Sequence, residues 1–258
     1  MSAQYIVGID LGTTNSVVAY APLGETESPE VQLLPLPQLT AASTLESRTS
    51  LPSFLYLAPP HEAAGLAVPW AAERQYAVGE FARRLSAEAP DRTVAAAKSW
   101  LCYSGVDRHR EILPWQAPPE VEQVSPVTAT RRYLEHLLAA WDAAFPEAPL
   151  ARQEIVLTVP ASFDVSAREL TREAALAAGL PDHLLLLEEP QAAVYAWLAD
   201  SGEQWRKRLS QGDQLLVCDL GGGTTDFTLV DVDQESGELF LRRLAVGNHL
   251  LVGDDNMD

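Results

Sequence analysis

Cysteine is almost missing from this sequence. Cys102 and Cys218 are the only two among 258 residues, and they lack any CxxC spacing. That excludes a disulfide framework and a thiolate metal cage. It fits a reducing, cytoplasmic setting in which both thiols are buried as small apolar groups. Positive charge is scarce as well: 18 Lys and Arg face 36 Asp and Glu, for a net charge of −18. Nucleic acid and anionic membrane surfaces are therefore poor partners. No run of 18 apolar residues occurs, and no charged n-region leads into an apolar h-region, so neither a membrane span nor a signal peptide is expected. There is no His/Cys cluster at metal-ligand spacing and no GxSxG turn.

What the sequence does hold is a glycine turn that occurs twice. An apolar run over 214–218 ends in Asp219 and Leu220, followed by Gly221, Gly222, Gly223, Thr224, Thr225 and Asp226. Apolar residues then resume at Phe227, Leu229, Val230 and Val232, which reads as strand, tight turn, strand. Three residues without side chains let backbone N–H groups close on an anion. By itself the turn is weak evidence for phosphate, because a plain glycine-rich hairpin with an Asp on each side has the same pattern. Near the N-terminus an apolar run again leads into Asp10, Leu11, Gly12, Thr13 and Thr14. The spacing aligns Thr13 and Thr14 with Thr224 and Thr225. Two related hairpins suggest two similar halves facing one ligand, each giving N–H groups, hydroxyls and a carboxylate. A phosphate chain with a metal needs that inventory, and acidity does not exclude it, because Mg²⁺ and an N–H nest neutralise phosphate.

Composition, at 47% hydrophobic, supports one large domain or two modest ones. The pattern predicts strands over 5–11, 16–21, 31–36 and 51–57, a polar loop over 37–50, and a surface excursion over 59–73. Helices are expected over 80–88 and 93–101, the second with Lys98 near its end. Residues 107–119 read as a loop anchored by Trp115. Pro126 opens a long amphipathic helix that Pro146 ends. Next come a buried strand over 155–159 and a helix with a Ser166/Glu169 capping box that stops at Gly179. A buried strand over 184–187 leads into a helix opened by Pro190. Strands over 213–219, 225–232 and 238–246 close the series, and Gly247–Asp258 reads as another turn that includes His249. The order is that of an α/β protein with a mixed sheet.

Taken together, these blocks resemble the nucleotide-binding domain of the heat-shock-70 (DnaK-like) chaperones, in the actin/hexokinase ATPase superfamily. Residues 8–16 are similar to the family's first phosphate loop and 48–53 to the segment after its third strand. Lys98 sits where the family keeps a catalytic lysine. Residues 157–161 with Arg168 resemble the strand and helix that couple nucleotide to the substrate domain. Residues 189–193 resemble its Glu-Pro-x-Ala-Ala block, and 219–226 its second phosphate loop. The sequence departs from the pattern at Thr225 (usually Phe), Glu188 (Asn), Gln191 (Thr) and Asp254 (Gly, after Gly253). It reads as a divergent member. The excursion near 59–75 and the Trp-rich stretch over 100–115 match nothing in the pattern.

The resemblance implies an actin-like ATPase (ribonuclease-H-like) α/β fold with a mixed five-stranded sheet flanked by helices. Lobe I would span 1–200, with its core at 1–36 and 112–200 and a peripheral insert at 37–111. Residues 201–258 would begin a lobe II whose adenosine-binding remainder comes later in the family. On that reading the chain alone hydrolyses ATP poorly and exposes apolar strand edges over 213–246 that favour self-association.

It also implies ATP or ADP with Mg²⁺ as ligands. Backbone N–H groups of Gly12, Thr13, Thr14, Gly221, Gly222 and Gly223, with Gly253 close by, would hold phosphate oxygens. Asp10 and Asp219 would hold Mg²⁺ through its waters, with Asp226 as a further carboxylate. Lys98 would reach the γ-phosphate and the attacking water. Glu189 (or Glu188, by a one-residue slip) would orient that water, and Thr13 and Thr224 would donate hydroxyl hydrogen bonds. Pro160 and Arg168 would couple nucleotide state to a partner domain. Unfolded or peptide clients and co-chaperones would be the partners of the longer protein, in a stress-response role. The competing readings are an actin-like filament protein, a sugar or acid kinase relative, and a regulator that binds nucleotide without hydrolysing it.

Overall fold

The computed structural model describes residues 2–24, 29–235, 238–247, 250 and 252–253. Strand β1 (Tyr5–Leu11) turns back into β2 (Asn15–Pro22), paired from Tyr5↔Pro22 to Leu11↔Ser16. Alternation sets the faces: Val7, Ile9 and Leu11 are buried, while Ile6 and Asp10 are exposed. The strand expected over 31–36 divides. β3 (Gln32–Leu33) stays on β2, whereas β4 (Leu36–Ala41) leaves to pair with β5 (Thr44–Arg48). Pro35 lies at the break and has no N–H to continue a ladder.

The expected loop over 37–50 is thus a hairpin, and a buried polar residue explains it. The Gln38 side-chain amide donates to the Ser50 carbonyl at 2.8 Å. Its Oε1 accepts the Glu80 N–H at 2.9 Å, at the start of helix α1 (Glu80–Leu85). Gly79, at φ 97°, offers that helix no side-chain cap, so Gln38 supplies one from across the fold.

β6 (Leu51–Pro52) pairs with the start of β2. β7 (Leu55–Leu57), β8 (Tyr76–Val78) and β9 (Thr93–Val94) form a small sheet in the order β8-β7-β9. The excursion at 59–73 is only partly a surface feature: Leu66 and Val68 are buried with Leu39, Tyr56, Ala77 and Ala82. The helix expected over 93–101 begins later. Thr93–Val94 is strand, Ala96 is left-handed at φ 53°, and α2 spans Ala97–Cys102. Lys98 therefore sits in the first turn of α2, not near its end. Leu113, rather than Trp115, anchors the next loop: it is buried and bridges Val124, whereas Trp115 is half exposed.

Helix α3 (Pro126–Ala144) is capped by Ser125, whose hydroxyl accepts the Thr128 N–H at 3.0 Å. It buries Tyr133, Leu134, Leu137 and Trp141 in the main core, against β1 and β2 residues such as Val7 and Val18. β10 (Glu154–Val159) runs parallel to β1. Helix α4 (Val165–Ala177) is capped by Asp164, which accepts the Ala167 N–H at 2.7 Å. The expected Ser166/Glu169 box is displaced, because an Asp placed two residues earlier reaches the first free N–H groups. Ser166 instead accepts an Arg108 guanidinium hydrogen at 2.6 Å. Gly179, at φ 98°, follows the helix end.

β11 (Leu185–Glu188) is an edge strand and is only half-buried, with Leu185 exposed. The main sheet runs β11-β10-β1-β2-β3, with β6 also on β2, so it has six strands rather than five. Helix α5 (Glu189–Ser201) carries Pro190 in its first turn, and the short α6 (Trp205–Arg208) follows. β12 (Gln214–Leu220), β13 (Thr225–Glu235) and β14 (Glu238–Val246) make a separate antiparallel sheet. The chain divides into two compact units, Met1–Leu157 with Asp164–Leu186, and Thr158–Phe163 with Leu187–Asp258. Cys102 is partly exposed and Cys218 exposed, so neither is the buried residue expected.

In the first unit, a buried polar knot joins α3 to the peripheral strands. His136 Nε2–H donates to the Pro37 carbonyl at 2.9 Å, and Arg74 lies 3.5 Å from its Nδ1. The Arg74 and Arg132 guanidiniums both stack on the Tyr76 ring. Burial, and then the Arg74 charge, hold the His136 pKa down at about 3. The imidazole is neutral.

Candidate functional site

In the first unit, the β1–β2 pairing leaves Gly12, Thr13, Thr14 and Asn15 as the turn. Gly12 must be glycine, because a Cβ there would overlap the Asn15 carbonyl oxygen. Buried Ser53 braces the turn. Its Oγ donates to the Gly12 carbonyl at 2.8 Å and its N–H to the Thr14 carbonyl at 2.8 Å. Since the Ser53 proton is used there, Ser16 Oγ, 3.0 Å away, donates to Ser53. Two carbonyls that would repel a phosphate are thus engaged by the protein. Asp10, at the mouth of the turn, is exposed.

In the second unit, β12 and β13 pair from Leu220↔Thr225 outward, leaving Gly221, Gly222, Gly223 and Thr224 as the turn. The Gly221 N–H donates to the Thr224 carbonyl at 2.8 Å. A further segment again braces the turn. Thr225 and Leu250 exchange backbone bonds of 2.9 and 3.1 Å, and Thr225 Oγ1 donates to the Val252 carbonyl at 2.6 Å. Gly253 is buried so close to the turn that a Cβ would meet the Gly221 and Gly222 carbonyls.

The two hairpins share a plan in register, which corrects the alignment read from sequence. Both turns have four residues, so Thr13 and Thr14 correspond to Gly222 and Gly223, Asn15 to Thr224, and Ser16 to Thr225. The bracing segments match as well: Leu51 pairs with Ser16 as Leu250 pairs with Thr225. Ser53 was invisible as a brace from sequence, because no spacing rule links it to a turn some forty residues earlier. Membership of the 48–53 block was its only signal.

Acidic residues are distributed unequally. Asp10 faces Val17, but Asp219 faces Asp226 directly across the strands, with Asp226 buried. Like charges directly opposite on a sheet repel. That donor set fits a cation held at the second hairpin. Among the described residues, no group of three or more His, Cys, Asp or Glu forms a direct metal cage. Two carboxylates and a hydrated Mg²⁺ need no such cage.

Lys98 is buried in the first turn of α2. Glu188 and Glu189 separate in role. Glu188 occupies the N-cap position of α5 without capping it, and its carboxylate is engaged by Arg243 of β14. Glu189 begins the helix. Pro160 ends β10, and its carbonyl accepts the Phe163 N–H at 3.1 Å, while Arg168 is half-buried in the first turn of α4. These two residues fall in different compact units. Asp254 and His249 lie outside the described residues. Within the second unit, a cavity of about 210 Å³ opens between α5 and the face of β13 and β14, lined by Val194, Tyr195, Thr228 and Phe240 among others.

The description "Hsp70 protein" belongs to the family that matches residues 67–256. The chain is 32% identical to the chaperone protein HscA of Enterobacter sp. (strain 638) and 33% identical to the HscA homolog of Pseudomonas aeruginosa. Each match covers 98% of this chain and 36% of the relative. The HscA homolog of Histophilus somni is 31% identical with the same coverage. The chain therefore spans about a third of the length of these curated relatives. They are chaperones by name, which disfavours the filament and kinase readings.

Proposed function

The chain belongs to the Hsp70 family, and from that premise we propose that it holds the phosphates of ATP and ADP for an Hsp70-like chaperone, whose peptide clients and co-chaperones engage the longer protein. The observation that carries this reading is the repeated hairpin: the same four-residue turn, opened by glycine and braced by a third segment, with an Asp just before it. N–H groups of Gly12, Thr13 and Thr14 hold phosphate oxygens, as do those of Gly221, Gly222 and Gly223. Gly253 supports the second turn.

Asp10, Asp219 and Asp226 would hold a hydrated Mg²⁺, which would neutralise phosphate charge when bound. Lys98 and Glu189 position the attacking water, and Thr224 donates to the γ-phosphate. In hydrolysis the water oxygen would bond to the γ-phosphorus as the bond from that phosphorus to its bridging oxygen breaks, giving ADP, inorganic phosphate and a proton. Pro160 and Arg168 pass the nucleotide state to a partner domain. Free thiols at Cys102 and Cys218 support a reducing, cytoplasmic setting for a stress-response protein. Among the described residues, no helix is long and apolar enough to cross a membrane.

Lys98 gives the sharpest test. If it reaches the γ-phosphate, Lys98→Ala weakens ATP at least about tenfold while changing ADP less than about threefold. Equal losses for both nucleotides would refute that role.

A further inference from the structure

The cavity of the second unit is a feature that phosphate chemistry does not use. Its volume is about 210 Å³, and α5, α6, β13 and β14 all contribute to its walls. Close-packed protein interiors leave few voids larger than a water molecule. Alternation along β13 brings Thr228 and Val230 to one face, where both are buried and line the cavity. Val194 and Leu198, one turn apart on α5, line it from the helix. The sequence of α5 is largely apolar, yet Pro190 is its one buried residue among those described. The rings of Tyr195, Trp205 and Phe240 add aromatic surface.

Three observations select a guest. The Thr228 residue is 3% exposed, and its hydroxyl has no hydrogen-bond partner. An unpaired buried hydroxyl is costly. A staggered rotation about χ1 exchanges this hydroxyl with the methyl group without moving the strand, so a guest in the cavity can give it a partner. Charge is the second observation. Among the described lining residues Arg243 alone is charged, and its guanidinium is engaged by Glu188. A charged guest would therefore lack a counter-charge. Size is the third. An apolar cavity of about 150 Å³ takes benzene, so one of about 210 Å³ admits a two-ring molecule.

We propose that this cavity binds a small, neutral aromatic molecule of the size of indole that carries a single N–H or O–H group. The guest packs between α5 and the β13–β14 face and shares its polar hydrogen with the Thr228 hydroxyl. Three aromatic rings in the wall offer edge-on and offset contacts that favour a planar guest over an alkyl chain.

The test titrates the full chain into 5-fluoroindole and follows the fluorine NMR signal. The expected result is saturable binding of one molecule per chain. Leu198→Trp fills the cavity from α5 and should weaken binding at least about tenfold. Thr228→Val keeps the volume and removes the hydroxyl. It should weaken 5-fluoroindole at least about threefold and fluorobenzene, which has no N–H, less than about twofold. The same variant should keep or raise the parent unfolding temperature, because an unpaired hydroxyl is gone. Signal changes that never saturate, or binding that survives Leu198→Trp, would overturn the proposal. Equal effects of Thr228→Val on the two probes would overturn the part assigned to the hydroxyl.

Discussion

Two single residues give the clearest energetic consequences. His136 is neutral in the folded protein because burial, and then Arg74, hold its pKa near 3. The unfolded chain protonates it near 6.5. Stability from this residue is fully present above pH 6.5 and is lost as pH falls towards 3, by about 1.4 kcal/mol per unit. Denaturant unfolding at pH 6.5 and pH 5.0 should show a loss of about 2 kcal/mol from this source. His136→Gln should be less stable at neutral pH yet show a shallower acid slope; an unchanged slope would mean that His136 does not titrate between the two states.

Asp226 gives a test of the proposed ligand. Asp226→Asn should weaken Mg²⁺-dependent nucleotide binding while the chain still unfolds cooperatively in thermal melts without nucleotide. A variant that loses both stability and binding would point to a structural carboxylate instead.

At the scale of elements, sequence reading worked where one local rule decides. The alternation of β1, the Pro126 start of α3 and the Gly179 stop were all legible, because neighbours in the chain set them. It failed where a distant partner decides. Gln38 looks like loop polarity, but it caps α1 from another hairpin. Ser53 reads as part of the strand over 51–57, but it braces the first glycine turn. Thr224 and Thr225 aligned with Thr13 and Thr14 by identity, whereas strand register pairs them with Asn15 and Ser16.

The start of α4 offers a direct comparison. Asp164→Ala should cost about 1 kcal/mol, the usual value for a lost N-cap. Ser166→Ala should cost less, because it removes only a partly exposed bond to Arg108. Denaturant midpoints of the two variants decide the order, and the reverse order would restore the capping box read from sequence.

At the scale of the whole molecule, the two units differ in cover. The first surrounds its sheet with α3 and α4 and buries a large apolar core. In the second, Leu216 and Leu220 of β12 are exposed at 60% and 65%. β12 is also an edge strand, and over Gln214–Cys218 it carries no charge to block pairing with another chain. Sedimentation should show concentration-dependent self-association that grows with salt, as screening weakens the repulsion of a net charge of −18. Leu216→Lys should abolish it, and a chain that stays monomeric at high protein and salt would contradict the prediction.

The family was legible in sequence because its phosphate loops are short and stereotyped. The cavity of the second unit was not legible, since its walls depend on how α5 packs against β13 and β14.

The central proposal is that both glycine hairpins are needed to hold nucleotide. Calorimetric titration of the chain with ADP and Mg²⁺ tests it most directly. The account predicts one nucleotide per chain, binding that falls when Mg²⁺ is chelated, and losses of about tenfold or more for both Asp10→Asn and Asp226→Asn. Two independent sites per chain, or binding untouched by one of these substitutions, would contradict it.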